Sequence, residues 1–306
     1  MSSDNLNKVK ELRELTGAGI QDCKIALSEN NYDIEKSIEY LRKKGISKAA
    51  KKSSRDAAEG LIVISASGNK ASITEVNSET DFVAKNNEFI KFCSDISNVA
   101  LNKAISLEDL LNEKINNQSI KDQIIDLISK IGENIKIRRT DFLNSTKGII
   151  EKYIHNNQND NMGKIGVLIS IDTNNTSEDI KNFSKKICMH IAAMSPMSIN
   201  EKDLDVNFIN KEKEILKEEL KNQGKDNAMI DKILVGKIKK VISDNTLLGQ
   251  KWIHNQDLTV DQAIKEFEKS KNITLTISKF IRYKVGEGIE VKKTDFNQEV
   301  QSLVGA

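Results

Sequence analysis

The chain has 306 residues, with 47 Lys and Arg against 45 Asp and Glu, and 38% of the residues are hydrophobic. This composition is typical of a folded protein with two or three modules. The formal charge of +2 argues against direct nucleic-acid binding, because a phosphate backbone is usually bound by a dense basic surface. No apolar run approaches the roughly 18 residues that span a bilayer, so we expect a cytoplasmic protein without membrane contact.

Catalytic and metal-binding patterns are missing from the sequence. The three cysteines are far apart and contain no Cys-x-x-Cys pair, which supports neither a disulfide framework nor a zinc site. There is also no His-Glu-x-x-His, no Gly-x-Ser-x-Gly and no complete phosphate-binding glycine loop. We therefore expect no cofactor, no metal and no bond-making enzyme.

Residues 1–46 predict a small module of three helices. Gly17 and Gly19 are expected to end the first helix, Asp33 to cap the third, and Gly45 to lie at the C-terminal cap of the third. So small a module has little interior for a catalytic pocket, which favours binding. Residues 47–59 predict a linker, helical or loose. The apolar residues at helical spacing are Leu6, Val9, Leu12 and Leu15 in the first predicted helix, Cys23, Ala26 and Leu27 in the second, and Ile34, Ile38 and Leu41 in the third.

Residues 60–140 predict a first α+β subdomain. Two apolar runs flank the turn at residues 67–70 and predict a β-hairpin. A helix capped by Asn87 follows, then helices beginning at Ser106 and Ser119, and then a strand after Gly132.

The same pattern recurs further along the chain. Residues 150–153 and 165–171 predict a second hairpin with a polar tip over 156–161, followed by a helix over 177–194. Residues 273–277 alternate as a strand that rejoins this second sheet. The second subdomain is predicted to comprise residues 141–200 and 270–288.

Residues 201–269 predict a charged helical insertion. Its three apolar stripes predict three helices, the last opened by a capping box of Thr259 and Gln262, and the last two are expected to form an antiparallel hairpin. Residues 289–306 predict a short C-terminal helix. The stripes and the final helix contain Ile215, Leu216 and Leu220, then Ile230, Leu234, Ile238 and Val241, then Val260, Ala263, Ile264 and Phe267, and finally Phe296, Val300 and Leu303.

Four segments together resemble the bacterial elongation factor Ts family, the guanine nucleotide exchange factors of elongation factor Tu. They are VKELRELTGAGIQDCK at 9–24, EVNSETDFVAK at 75–85, MHIAAM at 189–194 and FIRYKVGEGIE at 280–290. The resemblance implies an α+β fold with a ubiquitin-associated-like three-helix module. It also implies a core of two hairpin-plus-helix subdomains, a projecting helical hairpin and a short C-terminal helix.

The resemblance also implies a site. Thr80, Asp81, Phe82 and Val83 are expected to enter the G domain of elongation factor Tu and disturb its magnesium and phosphate site. Asp81 and Phe82 form the tip, with Phe82 as an apolar wedge. Weaker partner contacts are implied for Gly19, Ile20, Gln21, Cys23, Lys24, His190 and Phe296, and the partner is engaged through its G domain and a second domain.

Structural alternatives stay open for several of these residues. Taken alone, Phe82 fits a core residue at the exit of a hairpin, His190 a hydrogen-bonded core histidine, and Ile20 a member of the small helical core. The stripe at residues 230–241 fits either packing within the helical hairpin or a homodimer surface.

An enzyme with an unrecognised site stays open but has no arrangement of residues behind it. Two other binding functions also stay open. One is a helical adaptor whose N-terminal module binds a different protein, although an adaptor has no reason to contain the Thr80 to Val83 motif. The other is a nucleic-acid-binding protein that uses the basic segment 42–55, which predicts an affinity that falls steeply with salt.

Overall fold

The computed structural model describes residues 3–290 and shows a mixed helical and sheet protein, which confirms the α+β class. Two compact units account for the internal contacts. The first comprises the chain up to Ser65, Thr74–Asp141 and the segment from Lys284, and the second comprises Ala66–Ile73 and Phe142–Tyr283. The second unit thus includes the tip of the first hairpin.

Three helices begin the first unit: α1 (Ser3–Thr16), α2 (Ile20–Glu29) and α3 (Ile34–Lys52). Gly17 follows α1 with φ of +65°, a conformation that glycine adopts without steric cost. The Asp33 carboxylate accepts a hydrogen bond from the backbone N–H of Lys36 and caps α3, as predicted. The small core of this three-helix segment is formed by Val9, Leu12, Cys23, Ala26 and Leu27.

Helix α3 is longer than the sequence pattern predicted. Gly45 is not its C-terminal cap but lies inside it, and the helix continues to Lys52. A Cβ atom at position 45 would lie 2.8 Å from Oγ of Ser129. Gly45 is therefore a site of close packing, and glycine here cannot be distinguished from a cap glycine by sequence alone.

A hairpin and a third strand form the sheet of the first unit. Strand β1 (Glu59–Ser67) neighbours β2 (Lys70–Ser78), which neighbours the strand Lys136–Asn144. The third strand is β5 in chain order. Between β2 and β5 the chain forms three helices, α4 (Asn87–Lys103), α5 (Leu107–Asn112) and α6 (Ile120–Ile131), and two short strands before α6, β3 (Lys114–Ile115) and β4 (Gln118–Ser119).

The caps of these helices follow the sequence closely. Ser106 and Ser119 cap α5 and α6, and Gly132 ends α6 with φ of +89°. The cap of α4 is Asn86, one residue before the predicted Asn87, and its side chain accepts hydrogen bonds from two backbone N–H groups. Two adjacent asparagines offer the same capping group, and only the backbone conformation distinguishes them.

The second unit is built on a long hairpin of β6 (Gly148–Asn159) and β7 (Met162–Asp172), with β10 (Thr276–Lys284) on β7. Pairing extends to Asn159 and Met162, so the predicted polar tip over 156–161 is mostly strand. Helix α7 (Glu178–Met194) packs on both hairpin strands. Apolar side chains of β7, α7 and α10 (Val260–Lys271) share one core with Trp252.

The projecting helices are paired differently from the prediction. Helix α8 (Val206–Asn222) packs against α9 (Asn227–Asn245), whereas α10 packs on the short strands β8 (Lys251–Trp252) and β9 (Asn255–Thr259). The predicted pairing of the last two helices was therefore wrong, because β8 and β9 intervene between them. The capping box of Thr259 and Gln262 is confirmed.

No helix within residues 3–290 is long and apolar enough to cross a membrane. The predicted C-terminal helix with Phe296 lies outside the described residues.

Candidate functional site

The Phe82 loop, defined here as residues 79–86, connects β2 to α4. Strand β2 is buried along nearly its whole length and ends at Ser78. A single 3-10 turn, Val83–Lys85, then leads into the Asn86 cap. The loop is therefore short and is bounded by two buried elements.

Side chains in this loop divide sharply between buried and exposed. Val83 and Ala84 are buried, whereas Phe82 is 75% exposed, the highest value among the exposed large hydrophobic side chains of the described chain. Contact of a phenyl ring with water is unfavourable, so a ring that stays exposed in the fold gains free energy when an apolar surface of a partner covers it. Phe82 is thus not the core residue that the alternative interpretation requires.

The tip makes only weak contacts of its own. The Asp81 carboxylate lies 3.7 Å from Nζ of Lys85, and the same ammonium lies 6.0 Å from the centroid of the Phe82 ring. These are exposed contacts at helical spacing, of the kind that contributes at most about 1 kcal/mol. They leave Asp81 and Phe82 open to a partner.

The base of the loop, in contrast, is held by two carboxylates. The Thr80 N–H donates to Oε2 of Glu133 at 2.9 Å, and the Thr80 hydroxyl donates to Oε1 of Glu133 at 2.7 Å. In the opposite direction, the Asn134 N–H donates to Oε1 of Glu79 at 2.6 Å. Two consecutive loop residues therefore exchange hydrogen bonds with two consecutive residues of the turn between α6 and β5.

That turn is itself fixed by the chain that follows α3. Nδ2 of Asn134 donates to the carbonyl oxygen of Arg55 at 2.7 Å, and the Arg55 guanidinium lies 3.4 Å from the Glu79 carboxylate. Nζ of Lys52 donates to the carbonyl oxygen of Gly132. The basic segment predicted as a linker thus supports the turn that holds the loop.

Strand β2 contains one carboxylate, Glu75, which the sequence analysis did not select as a site residue. Glu75 is fully buried and accepts from Arg138 at 3.2 Å, from Nε of Arg139 at 2.6 Å and from the Gly286 N–H at 2.8 Å. Nη2 of Arg138 also donates to the carbonyl oxygen of Glu287 at 2.6 Å. We call these residues the Glu75 cluster; it joins β2, β5 and the chain after β10.

Neither Glu133 nor the Glu75 cluster was accessible to sequence reasoning. Glu133 is 53 residues from Thr80, and Gly286 is 211 residues from Glu75. Local spacing has no information on such contacts. The available signals were Gly132, which marked a turn, and the motifs at 75–85 and 280–290, which contain Glu75, Gly286 and Glu287 but do not show that these residues meet.

The second predicted group of contacts lies at the start of α2. Gly19 is its N-terminal cap, Ile20 is 48% exposed and Gln21 is exposed, whereas Cys23 is fully buried in the small helical core. Burial raises the pKa of the Cys23 thiol. Lys24 is partly exposed. The surface available here is thus formed by Gly19, Ile20, Gln21 and Lys24.

His190 lies in the core of the second unit. It is fully buried, its Nε2 lies 3.0 Å from Oε1 of Gln250, and its Nδ1 accepts from the Ile253 N–H at 3.4 Å. The ring stacks on Trp252 with centroids 5.3 Å apart. Burial lowers the pKa of His190, because a charged imidazole would lose hydration there. His190 is therefore the hydrogen-bonded core histidine of the alternative interpretation.

Phe296, another predicted contact, lies outside the described residues.

The basic segment 42–55 is largely neutralised by carboxylates. Lys44 and Lys48 both bind Asp22, at 3.1 and 2.9 Å, and the hydrogen bond from Lys48 lowers the pKa of Asp22. Arg42 lies 3.2 Å from Asp122. Such pairing reduces the positive charge that this segment offers to a phosphate backbone. Among residues 3–290, no group of three His, Cys, Asp or Glu side chains is placed to hold a metal ion.

Comparison with known proteins matches this arrangement to one family. A family model described as elongation factor TS matches residues 79–287, which include the whole Phe82 loop. Elongation factor Ts of Brucella anthropi is 43% identical over 292 residues, covering 95% of this chain and 96% of the relative. Elongation factor Ts of Clostridium kluyveri is 42% identical over 302 residues, 97% of each chain, and that of Nitrobacter hamburgensis is 40% identical over 297 residues, again 97% of each.

Of the four sequence segments, that at 189–194 lies inside the region matched by the family model, and those at 75–85 and 280–290 overlap it. Identities of 40 to 43% over nearly the whole chain leave no large segment without a counterpart. The chain therefore belongs to the elongation factor Ts family of translation elongation factors.

Proposed function

We propose that this protein is a guanine nucleotide exchange factor that binds elongation factor Tu·GDP and promotes GDP release during translation elongation. The observation that carries the proposal is the exposed Phe82 with Asp81 beside it, on a loop whose base is held by hydrogen bonds. Family membership supplies the partner. The chain acts by binding and makes no covalent bond.

The chemistry of the tip suits disturbance of a bound nucleotide. Magnesium holds nucleotide phosphates only in a near-octahedral arrangement of oxygen ligands, so a small displacement of the partner's groups weakens GDP binding. Phe82 acts as the apolar wedge that produces this displacement. Asp81 adds a negative charge close to the phosphates, which opposes their retention.

Exchange without bond chemistry follows from thermodynamic coupling. If this protein binds nucleotide-free elongation factor Tu more tightly than the GDP complex, GDP weakens its binding by the same factor. GDP is then held more weakly in the complex with this protein than in elongation factor Tu alone, which favours its release, and incoming GTP displaces the protein again. A rigid loop suits this role, because less conformational entropy is lost when the complex forms.

Other surfaces complete the proposed contact. We assign residues 1–46 to a ubiquitin-associated-like module in which Gly19, Ile20, Gln21 and Lys24 contact the G domain, with Cys23 supporting them from the core. Phe296 in the module 289–306 is a further weaker contact with the partner, which is engaged through its G domain and a second domain. His190 acts only from within, since its side chain is not exposed. A homodimer through the helical hairpin is a separate proposal.

The remaining domain boundaries keep their predicted positions as part of this proposal. Residues 47–59 connect the helical module to the core, 60–140 form its first subdomain, and 201–269 are inserted in the second. The second subdomain comprises 141–200 and 270–288.

Stopped-flow release of a fluorescent GDP analogue from the cognate elongation factor Tu tests the function. We expect dose-dependent acceleration by this protein, with a maximum rate at saturation. Absence of acceleration, with both proteins folded, would contradict the proposal and favour the helical adaptor. A steep fall of RNA affinity with salt would instead favour the nucleic-acid alternative.

A further inference from the structure

The direction in which Phe82 points is not determined at the tip itself. The Phe82 ring lies 6.0 Å from the Lys85 ammonium, and the Asp81 to Lys85 pair is exposed on both sides. On the C-terminal side the loop is held by burial of Val83 and Ala84. On the N-terminal side, hydrogen bonds of Thr80 hold the loop instead of buried apolar side chains.

All polar groups of Thr80 are engaged. Its N–H and hydroxyl donate to the two oxygens of Glu133, and its carbonyl oxygen accepts from the Ser78 hydroxyl at 2.9 Å. A carboxylate that accepts two bonds from one residue fixes both the backbone direction and the side-chain rotamer of that residue. Thr80 lies two residues before Phe82, so its backbone sets the path of the tip.

The carboxylate is in turn fixed from its own side. Gly132 ends α6 in the left-handed region, and Asn134 is held through Glu79 and the Arg55 carbonyl oxygen. Glu133 thus lies between two anchored residues. Because Glu133 is held in place, it also fixes the position of Thr80. Supporting hydrogen bonds keep catalytic side chains in position in the same way.

We propose that Glu133 is a positioning residue for nucleotide exchange: its carboxylate locks Thr80 and thereby aims Phe82 at the partner. This inference rests on the proposed function. It assigns a role to a residue that does not itself touch the partner. It also explains why a threonine suits position 80, since the two bonds need a hydroxyl as well as an N–H.

The test compares Glu133→Gln, Thr80→Val and the double variant with the full-length wild-type chain. Glutamine keeps the shape of glutamate but has one acceptor oxygen, and its NH2 group faces a donor. Valine keeps the shape of threonine without the hydroxyl. Glu108→Gln, on the exposed side of α5 in the same unit, is the matched control.

Two measurements are made on each variant. The first is amide hydrogen exchange of residues 79–86 in the free protein, which we expect to be faster in Glu133→Gln and Thr80→Val and unchanged in Glu108→Gln. The second is GDP release from elongation factor Tu as a function of protein concentration. There we expect the maximum rate to fall about tenfold, while the half-saturating concentration changes by less than about threefold.

This division separates positioning from a loss of folded protein. Partial unfolding lowers the concentration of active protein, which raises the half-saturating concentration and leaves the maximum rate unchanged. Thr80→Val removes the hydroxyl bond to Glu133 and keeps the N–H bond, whereas Glu133→Gln weakens both, so the double variant is expected to lose less than the sum of the two single losses. Additive losses would contradict a shared mechanism.

The outcomes also separate this inference from the proposed function. If the wild-type protein accelerates GDP release and Glu133→Gln does so equally well, Glu133 has no positioning role and the function stands. If hydrogen exchange of residues 79–86 is unchanged, the lock itself is wrong. If the wild-type protein does not accelerate release, the proposed function is wrong, and the positioning role falls with it.

Discussion

At the scale of single residues, exposure distinguishes Phe82 from the other aromatic side chains of its segment. Phe89, seven residues later, is fully buried, whereas Phe82 is 75% exposed. The same side-chain chemistry therefore serves packing at one position and remains available for binding at the other. Truncation of Phe89 is expected to lower stability, whereas truncation of Phe82 is expected to weaken the action on a partner.

Phe82→Ala is expected to slow GDP release from elongation factor Tu by about 30-fold, since a buried aromatic anchor at an interface is commonly worth about 2 kcal/mol. The thermal midpoint should not change, because the ring does not pack on the fold. Stopped-flow kinetics and circular dichroism measure the two effects. Val206→Ala, at another exposed apolar residue, is the control, and an equal loss there would contradict a specific wedge.

His190 has a pH-dependent consequence. Its pKa is lowered from the ordinary value of 6.5 by burial, so between the folded pKa and 6.5 the unfolded chain binds more protons than the folded chain. Stability from this group is therefore complete above pH 6.5 and is lost as the pH falls below it, at up to about 1.4 kcal/mol per pH unit.

Urea unfolding followed by the fluorescence of Trp252, the single tryptophan of the chain, measures this dependence. His190→Gln is expected to flatten the slope between pH 5 and 7. The exposed His155, changed to glutamine, is expected to retain it. An unchanged slope in His190→Gln would show that other groups cause the acid sensitivity.

At the scale of elements, two glycines lie within helices and have opposite surroundings. A Cβ on Gly45 of α3 would lie 2.8 Å from Oγ of Ser129, whereas a Cβ on Gly236 of α9 would meet no atom within 4 Å. Both glycines cost backbone entropy in a helix. Only Gly45 has a packing reason to be glycine.

Gly236→Ala is expected to stabilise the protein by about 0.5 to 1 kcal/mol, because alanine favours the helix. Gly45→Ala is expected to destabilise it by about 1 kcal/mol, because the added methyl group displaces Ser129. Thermal unfolding followed by circular dichroism compares the two. Adding Ser129→Ala to Gly45→Ala should recover the loss, since the next contact is Cβ of Ser129 at 3.7 Å.

At the scale of the whole molecule, the Glu75 cluster joins parts of the first unit that are far apart in sequence. One buried carboxylate binds two guanidinium groups of β5 and a backbone N–H beyond β10. Replacement of Glu75 by glutamine removes the negative charge and one of the two acceptor oxygens that face Arg138 and Arg139. Because both arginines are partly exposed, water compensates in part.

Glu75→Gln is expected to lower the free energy of unfolding by about 2 to 3 kcal/mol, less than for a fully buried pair. Denaturant unfolding of the full chain measures it, with hydrogen exchange of residues 284–290 as a local report on the third segment. Glu108→Gln, which lies on an exposed surface, should change neither. A loss below about 0.5 kcal/mol would show that the cluster contributes little.

Short-range features of the fold were predictable from the sequence by itself. Helix caps at Asp33, Ser106, Ser119 and Thr259, the turn at residues 67–70 and the apolar stripes all depend on residues a few positions apart. Their physical causes are local hydrogen bonds and local backbone preferences. The motif around Phe82 and the family were also readable, because a motif is a property of consecutive residues.

Only the tertiary structure decided which elements meet. It paired α8 with α9, extended α3 beyond Gly45, buried His190 and brought Glu133 to Thr80. Burial and contact depend on the packing of segments that are distant in the chain, and spacing within one segment does not encode them. The sequence thus determined which loop bears the exposed aromatic residue, and the fold determined what holds that loop in place.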